Sequence, residues 1–409
     1  VVWGMVWLDR GPGESGLLVW VVHHLVVDGV SWRVLLPDLA QAHAAVRAGK
    51  AGEGVLDPVG SSLRWWSRRL VDSVASRRGE LDWWESVARA TGPVLGGQVT
   101  DRGTYAGAGG LSVPVPVEVT ETVLTRLPGL FQAGVDEVLL AGFGLAVQRW
   151  CAERGVEVPE SVVLDLEGHG RAEEAVAGAA LSRTVGWFTS VYPVRVAPGS
   201  VPWSEVQGGT PALGGVVKRV KEQLREVPGD GLGYGLLRYH DPEGRARLAP
   251  LPTPEIAFNY LGRFTVAGAA DAGKAEADAS TAATSTAATS TAERGAAHAP
   301  GAAADWVTLG GGIAGQGPDV PLPHLLELNA TAQDGPGGLE LVLHWTWSRA
   351  VLERWEVEAL AEFYVVALTG LADYADAPAA GGLTPSDAPL TSLAQDEIDL
   401  IDADWSSFE

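Results

Sequence analysis

The stretch LVWVVHHLVVDGVSWRVLLPDL, residues 18–39, decides how the rest of the chain is read. An apolar run ends at His23 and His24, and Asp28-Gly29 follows four residues later. A strand alternates its faces, so one histidine is predicted to point into the packed layer and the other into the space the sheet borders. The Asp-Gly pair turns the chain. Ser31 is then the expected cap of a helix over 31–49, whose first backbone N–H groups face the same space. Pro37 must kink that helix or start a second one. An imidazole, a turn carboxylate and a helix N-terminus at one sheet end amount to the geometry of a site.

Composition narrows the field around it. A chain of 409 residues can bury a large core and exceeds one domain of ordinary size, so two packed domains are expected. A net charge of −22 leaves no Lys/Arg-dense stripe to release phosphate counterions, which argues against nucleic acid. The basic cluster Arg64 to Arg69, with Trp65 and Trp66 inside it, reads as one face of an amphipathic helix. One cysteine, Cys151, supports neither a disulfide framework nor a cysteine-rich metal site, and a cytoplasmic setting fits. No apolar run reaches the roughly 18 residues of a membrane span, and no secretory pattern opens the chain. Val1 lies within an apolar pattern and the sole methionine is Met5, so the chain reads as a piece of a longer polypeptide. Its Ala, Gly, Val and Arg usage resembles that of a high-GC bacterial source.

Helices are expected over 61–78 and 81–90, with Trp65, Trp66, Leu70, Trp83 and Trp84 at core spacing. A Gly-rich break over 92–110 puts a subdomain boundary near residue 95, before an alternating strand LSVPVPVEV at 111–119. Asp136 is read as the cap of a strong helix carrying Leu139, Leu140, Phe143, Val147 and Trp150 on one face. A short buried strand is predicted at 161–166, and LELVLHWTWS at 339–348 alternates as a half-buried one. Helices interleaved with non-adjacent strands imply an α/β fold. Residues 265–304, rich in STAATSTA repeats, are expected to form a loop that cannot bury enough apolar surface to order itself. From Leu383 the chain turns polar and acidic, as an exit linker and a short terminal helix would.

A second cluster, DLEGHGR at 165–171, repeats the first: a strand end, then Glu167 in a Gly-rich turn. A Glu before Gly is most often a solvated turn residue. The two clusters could instead converge across a cleft, giving an imidazole and a carboxylate for proton transfer. Other chemistries fail on spacing. No histidine pair carries the zincin pattern, so no metal is expected. GDGLGYG at 229–235 follows a helix rather than a strand, which argues against a dinucleotide site. No G-x-S-x-G elbow occurs.

HHLVVDGVSW at 23–32 resembles the HHxxxDG signature of the condensation superfamily of nonribosomal peptide synthetases, and its Val-Ser-Trp ending resembles the epimerization branch. LEGHGR at 166–171, RTVGWFTSVYPV at 183–194, KEQLREVPGDGLGYGLLRY at 221–239 and PEIAFNYLGRF at 254–264 agree with that branch in order and kind. The resemblance spans Leu17 to about Pro389, apart from the low-complexity insert. It implies two chloramphenicol-acetyltransferase-like subdomains in a V-shaped pseudo-dimer. They correspond to a truncated N-terminal one over 1–95 and a C-terminal one over 96–385 with the insert at 265–304, followed by the exit linker and terminal helix at 386–409. One departure from the family pattern is Ala172, where an acidic residue usually follows the Arg of EGHGR.

The implied reaction is inversion of the α-carbon of an aminoacyl or peptidyl thioester, with His24 and Glu167 as the acid/base pair. Asp28 is expected to hold the loop, with His23, Gly29, Ser31 and Arg171 in support. Asn259 and Tyr260 are candidates for hydrogen bonds to the thioester oxygen or substrate, although Tyr260 could simply pack. No cofactor of its own is implied, because the phosphopantetheine arm of an upstream peptidyl carrier domain enters with the substrate. A downstream synthetase module is the other implied partner; neither nucleic acid nor a membrane is. Two alternatives stay open: a peptide-bond-forming condensation domain, and a catalytically silent carrier-docking domain.

Overall fold

The computed structural model describes residues 2–50, 52, 54–95, 102–264, 317–335, 337–378, 380–388, 393–398 and 400. The insert at 265–304 and most of the terminal segment predicted beyond 386 lie outside them. Strand β1, Trp3–Leu8, pairs antiparallel with β2, Leu17–Val22. The strand stops at Val22; His23 is extended and His24–Val26 forms one 3-10 turn. Simple alternation of the two histidines across a strand therefore does not apply, because His24 has already left the ladder.

Helix α1, Gly29–Arg47, follows. Its N-cap is Asp28 and not Ser31. The Asp28 carboxylate accepts from the Ser31 backbone N–H at 2.7 Å, and the Ser31 hydroxyl reaches back to the Asp28 N–H at 3.3 Å, a reciprocal capping box. Asp28 takes the donor that a cap must satisfy, so the helix starts two residues earlier than predicted. Pro37 sits inside α1 without starting a second helix. Helices α2, Leu63–Asp72, and α3, Leu81–Arg89, bury Trp66 and Trp84 as their spacing predicts.

The remaining strands form one six-stranded sheet: β3, Ala108–Val115; β4, Val162–Gly168; β5, Ser190–Val196; β6, Ile256–Phe264; β7, Leu326–Gly335; and β8, Gly338–Ser348. Their order is β3-β8-β7-β6-β4-β5, with β6 parallel to both β4 and β7 and the other pairs antiparallel. The strand predicted at 111–119 ends at Val115. Pro116 caps a short helix, Val117–Glu121, since proline fixes φ and removes the N–H a ladder needs. The long helix Val135–Glu153 starts one residue before Asp136, with Gly134 as cap and Glu137 returning its carboxylate to the Gly134 N–H at 2.7 Å. Asp136 stands in the first turn instead, where a carboxylate complements the helix dipole.

The sheet has two unlike faces. Leu164, Leu166, Ile256, Phe258, Leu326, Leu328, Trp345 and Trp347 lie in one core with the helices Val135–Glu153 and Arg354–Tyr374. The Trp150 indole N–H donates to the Glu356 carbonyl at 2.8 Å, and the Tyr364 hydroxyl to the Leu139 carbonyl at 3.1 Å, so the polar ends of these rings are satisfied. By strand alternation, Asp165, Glu167, Asn259, Glu327, Asn329, His344 and Thr346 share the opposite face. Trp84 of α3 joins the main core against Tyr192 and Tyr234. Among the described residues no single helix is long and apolar enough to cross a membrane.

Candidate active site

Asp28 does more than cap α1. Its two carboxylate oxygens accept from the Arg171 guanidinium at 2.9 and 3.0 Å, and Oδ2 also accepts from the Phe188 N–H at 3.3 Å. Both partners are nearly excluded from solvent, so the pair is the buried, hydrogen-bonded kind whose disruption leaves an uncompensated charge. Arg171 is further spent on the Leu181 and Thr184 carbonyls, at 3.0 and 2.6 Å, and lies 4.0 Å over the Phe188 ring. The Ser31 hydroxyl donates to the Gly186 carbonyl and accepts the Gly186 N–H, each at 3.0 Å. Gly29 opens α1 directly after this cap. The first sequence cluster is thus stapled to the second through Arg171 and residues 186–188.

That staple positions His24. Its ring sits 4.7 Å from Trp187, and its Nδ1 is buried without a hydrogen-bond partner. His23 is turned to local work: its Nδ1 accepts from the Leu25 N–H at 3.1 Å and its own N–H donates to the Val2 carbonyl at 2.7 Å. One imidazole is committed to the turn; the other keeps a polar atom in reserve.

Glu167 is reached from the same hairpin. β4 pairs with β5 so that Glu167 stands opposite Val191 and Gly168 opposite Ser190, immediately after the Gly186–Phe188 segment that holds Asp28. Gly170 has φ +64 and a Cβ there would meet the Phe188 carbonyl oxygen at 1.7 Å, so only glycine lets the two strands of chain close. The Asn259 amide donates to Glu167 Oε2 at 2.8 Å, while Asn259 Oδ1 is buried without a partner. Burial first, then the nearby Glu327 carboxylate, pushes the Glu167 carboxyl up to about 7. Tyr260 follows Asn259 on β6 and points the other way, 5% exposed and packed in the helix-side core. His169 is turned away from proton transfer: it accepts the Arg171 N–H at 2.9 Å, and burial with the adjacent Arg171 lowers its pKa.

Four residues on this polar face escaped the sequence reading. His324 Nε2 lies 2.9 Å from Asp165 Oδ2 and its Nδ1 3.5 Å from Glu327 Oε1. Burial alone would lower that imidazole, but hydrogen bonds to the two carboxylates outweigh it and carry it up to about 9. Burial, then the charges of Glu327 and Glu167, push the Tyr105 hydroxyl up to about 12. Asp165 could have been found from period 2, two residues before Glu167 on one strand face. Nothing local in PLPHLLEL signals that His324 and Glu327 come to the same place. Two cavities lie elsewhere: one of about 170 Å³ is lined by Trp83, Arg195 and Gln223, and one of about 160 Å³ by Trp347 and Arg349.

The family model of the Condensation domain matches residues 13–297. The chain belongs to the condensation-domain family. It is 33% identical over 402 residues to a linear gramicidin synthase of Brevibacillus parabrevis, covering 96% of this chain and 4% of that protein. Over 401 residues it is 33% identical to chondramide synthase cmdD of Chondromyces crocatus, covering 96% and 9%. This condensation-family chain thus spans only a small fraction of the length of the curated relatives it matches. Among solved structures it is similar to the epimerization domain from the third module of tyrocidine synthetase B, with a TM-score of 0.66 and 28% identity over 88% of this chain and 69% of that one. The first condensation domain of the calcium-dependent antibiotic synthetase shares the fold, with a TM-score of 0.53 and 19% identity over 92% and 68%. The mixed α/β architecture expected from the sequence is the condensation-family fold.

Proposed function

We propose that this condensation-family chain is an epimerase, inverting the α-carbon of an aminoacyl or peptidyl thioester. The substrate is presented on the phosphopantetheine arm of a peptidyl carrier domain within a nonribosomal peptide synthetase. The observation that carries the reading is Glu167, a half-buried carboxyl held by Asn259 with its pKa pushed up to about 7. A group with that pKa can both take and return a proton at neutral pH, which a solvated turn glutamate does poorly. The α-proton beside a thioester is a weak acid. Its removal by a base leaves an enolate, and inversion requires a second group to return a proton from the opposite face. His24, held by the Asp28–Arg171 staple and with an unpartnered Nδ1, is the second group. Likeness to an epimerization domain at 28% identity supports the same reading.

The test uses the complete natural protein that carries this chain, loaded with an L-aminoacyl thioester in deuterated water. The native protein is expected to wash deuterium into the α-position and to give a D/L mixture. Glu167→Gln and His24→Ala should each slow inversion by about 10²–10⁴-fold, and one of them should retain exchange without inversion. Native rates in both variants would discard the assignment. Formation of a new peptide bond instead would establish the condensation reaction, and carrier binding with no exchange would establish a silent docking role.

A further inference from the structure

The polar sheet face carries more charge than a two-group proton relay needs. Asp165 and Glu167 are two residues apart on β4, and Glu327 of β7 is in register with Ala257 of β6, itself in register with Asp165. Three carboxylates therefore share one face within two strand spacings. Glu327 is 7% exposed, so water does little to screen it. Without a cation such a cluster cannot ionise together. The described groups facing Glu167 are Asp165 from its own strand, Glu327 from β7, Tyr105 from the turn before β3, and His324 from the segment before β7. Only His324 can be positive among them. It spans the other two carboxylates, 2.9 Å from Asp165 and 3.5 Å from Glu327.

We propose that His324 is a positioning residue, a buried cation clamped by Asp165 and Glu327 that sets the charge of the surface on which Glu167 works. This rests on the epimerase reading of Glu167 and deepens it. His324 does not touch the α-carbon. It neutralises the neighbours of the residue that does, so that Glu167 can exchange a proton near neutral pH instead of being locked in its acid form by two adjacent negative charges. Removing the cation and removing a neighbouring anion must then act in opposite directions, a signature that loss of packing cannot imitate.

The experiment measures α-proton exchange against pH in the complete natural protein for the native form, His324→Gln and Glu327→Gln. Whether Glu167 sets the rising or the falling limb, its midpoint should move up by about one pH unit in His324→Gln and down in Glu327→Gln. At a pH well below a rising limb one unit is about a tenfold change in rate. The imidazole C–H resonance of His324, assigned by its loss in His324→Gln, should titrate at about 9 in the native protein. Equal rate losses at every pH with unmoved midpoints, or midpoints moving the same way, would overturn the inference and leave the epimerase reading intact. If the native protein exchanges no α-proton, the epimerase reading fails, and the resonance decides alone: titration at about 9 keeps His324 as the buried cation, and titration at or below the ordinary histidine value discards it. Should His324→Gln fail to fold, the downward shift in Glu327→Gln still carries the test.

Discussion

The neutral amide of Asn259 is what separates Glu167 from an ordinary turn carboxylate. It donates one hydrogen bond at 2.8 Å and supports the ionised form, against burial and Glu327, which oppose it. A hydrogen bond to a charged group contributes about 1.5–3 kcal/mol. Asn259→Ala is therefore expected to slow α-proton exchange by about 10- to 100-fold and to raise the Glu167 midpoint. Asn259→Asp should slow it further at neutral pH, because a fourth carboxylate replaces the donor. A pH–rate profile of both variants checks this, and indistinguishable profiles would show that Asn259 only packs. Tyr260, its neighbour in sequence, illustrates the limit of motif reading: one step along a strand moves a side chain from the polar face to the core.

At the scale of elements, the Asp28–Arg171 pair joins the turn before α1 to the loop after β4. Breaking one partner of a buried pair costs about 3–5 kcal/mol, since the other charge is left without compensation. Asp28→Asn and Arg171→Met should each lower the urea midpoint accordingly, while the double variant recovers part of the loss. A double-mutant cycle on equilibrium unfolding measures that coupling, and additive losses would contradict the staple. Catalysis should fail in the single variants through displacement of His24 relative to Glu167. The thioester would still bind, so the rate constant should fall more than the Michaelis constant rises. Smaller ties point the same way. Arg33 of α1 donates to the Arg263 carbonyl at 3.3 Å, beside the β6 bulge where Gly262 takes φ +75. Arg183 forks onto Asp38 of α1 at 2.9 Å to each oxygen.

Across the whole molecule, three displaced groups make stability fall as pH rises. Glu167 and Asp136 have folded pKa values raised to about 7 and about 6, so the stability tied to their neutral forms is complete below the unfolded carboxylate range and is lost as pH passes those values. His324, raised to about 9 from 6.5, contributes stability that is complete below 6.5 and is lost as pH climbs through 9. Thermal midpoints should therefore decline from about pH 7 to about pH 9, above the range in which His169 and His344, both lowered by burial, act in the opposite sense. His324→Gln should flatten the upper part of that decline and Glu167→Gln the lower part. A midpoint that rises between about pH 7 and pH 9 in the native protein would contradict the charged clamp. The ribbon of β1 and β2 stands apart from this: Trp3, Val6 and Trp7 are all more than half exposed.

Strands β2, β3, β4 and β8, helices α1 to α3 and Val135–Glu153, the two motif clusters, the buried tryptophans and the family were legible in the sequence, because periodicity, turn chemistry and short motifs are local properties of the chain; β1, β5, β6, β7 and the helix Arg354–Tyr374 were not assigned from it. Cap identities went astray by a few residues, since Asp28 and Gly134 compete with nearby residues for the same backbone donors and only geometry decides between them. The second half of the site was not legible at all. His324 and Glu327 lie about 160 residues from Asp165 and Glu167, and they meet because a parallel β4–β6–β7 arrangement brings their faces into register. Register is set by how strands pack on the helix layer, through Phe258, Leu328 and Trp345 on the apolar side. Motif resemblance in the sequence named His24 and Glu167 as the candidates for moving a proton. The tertiary structure decided which charges surround them, because electrostatic coupling depends on distance and burial through space and not on separation along the chain.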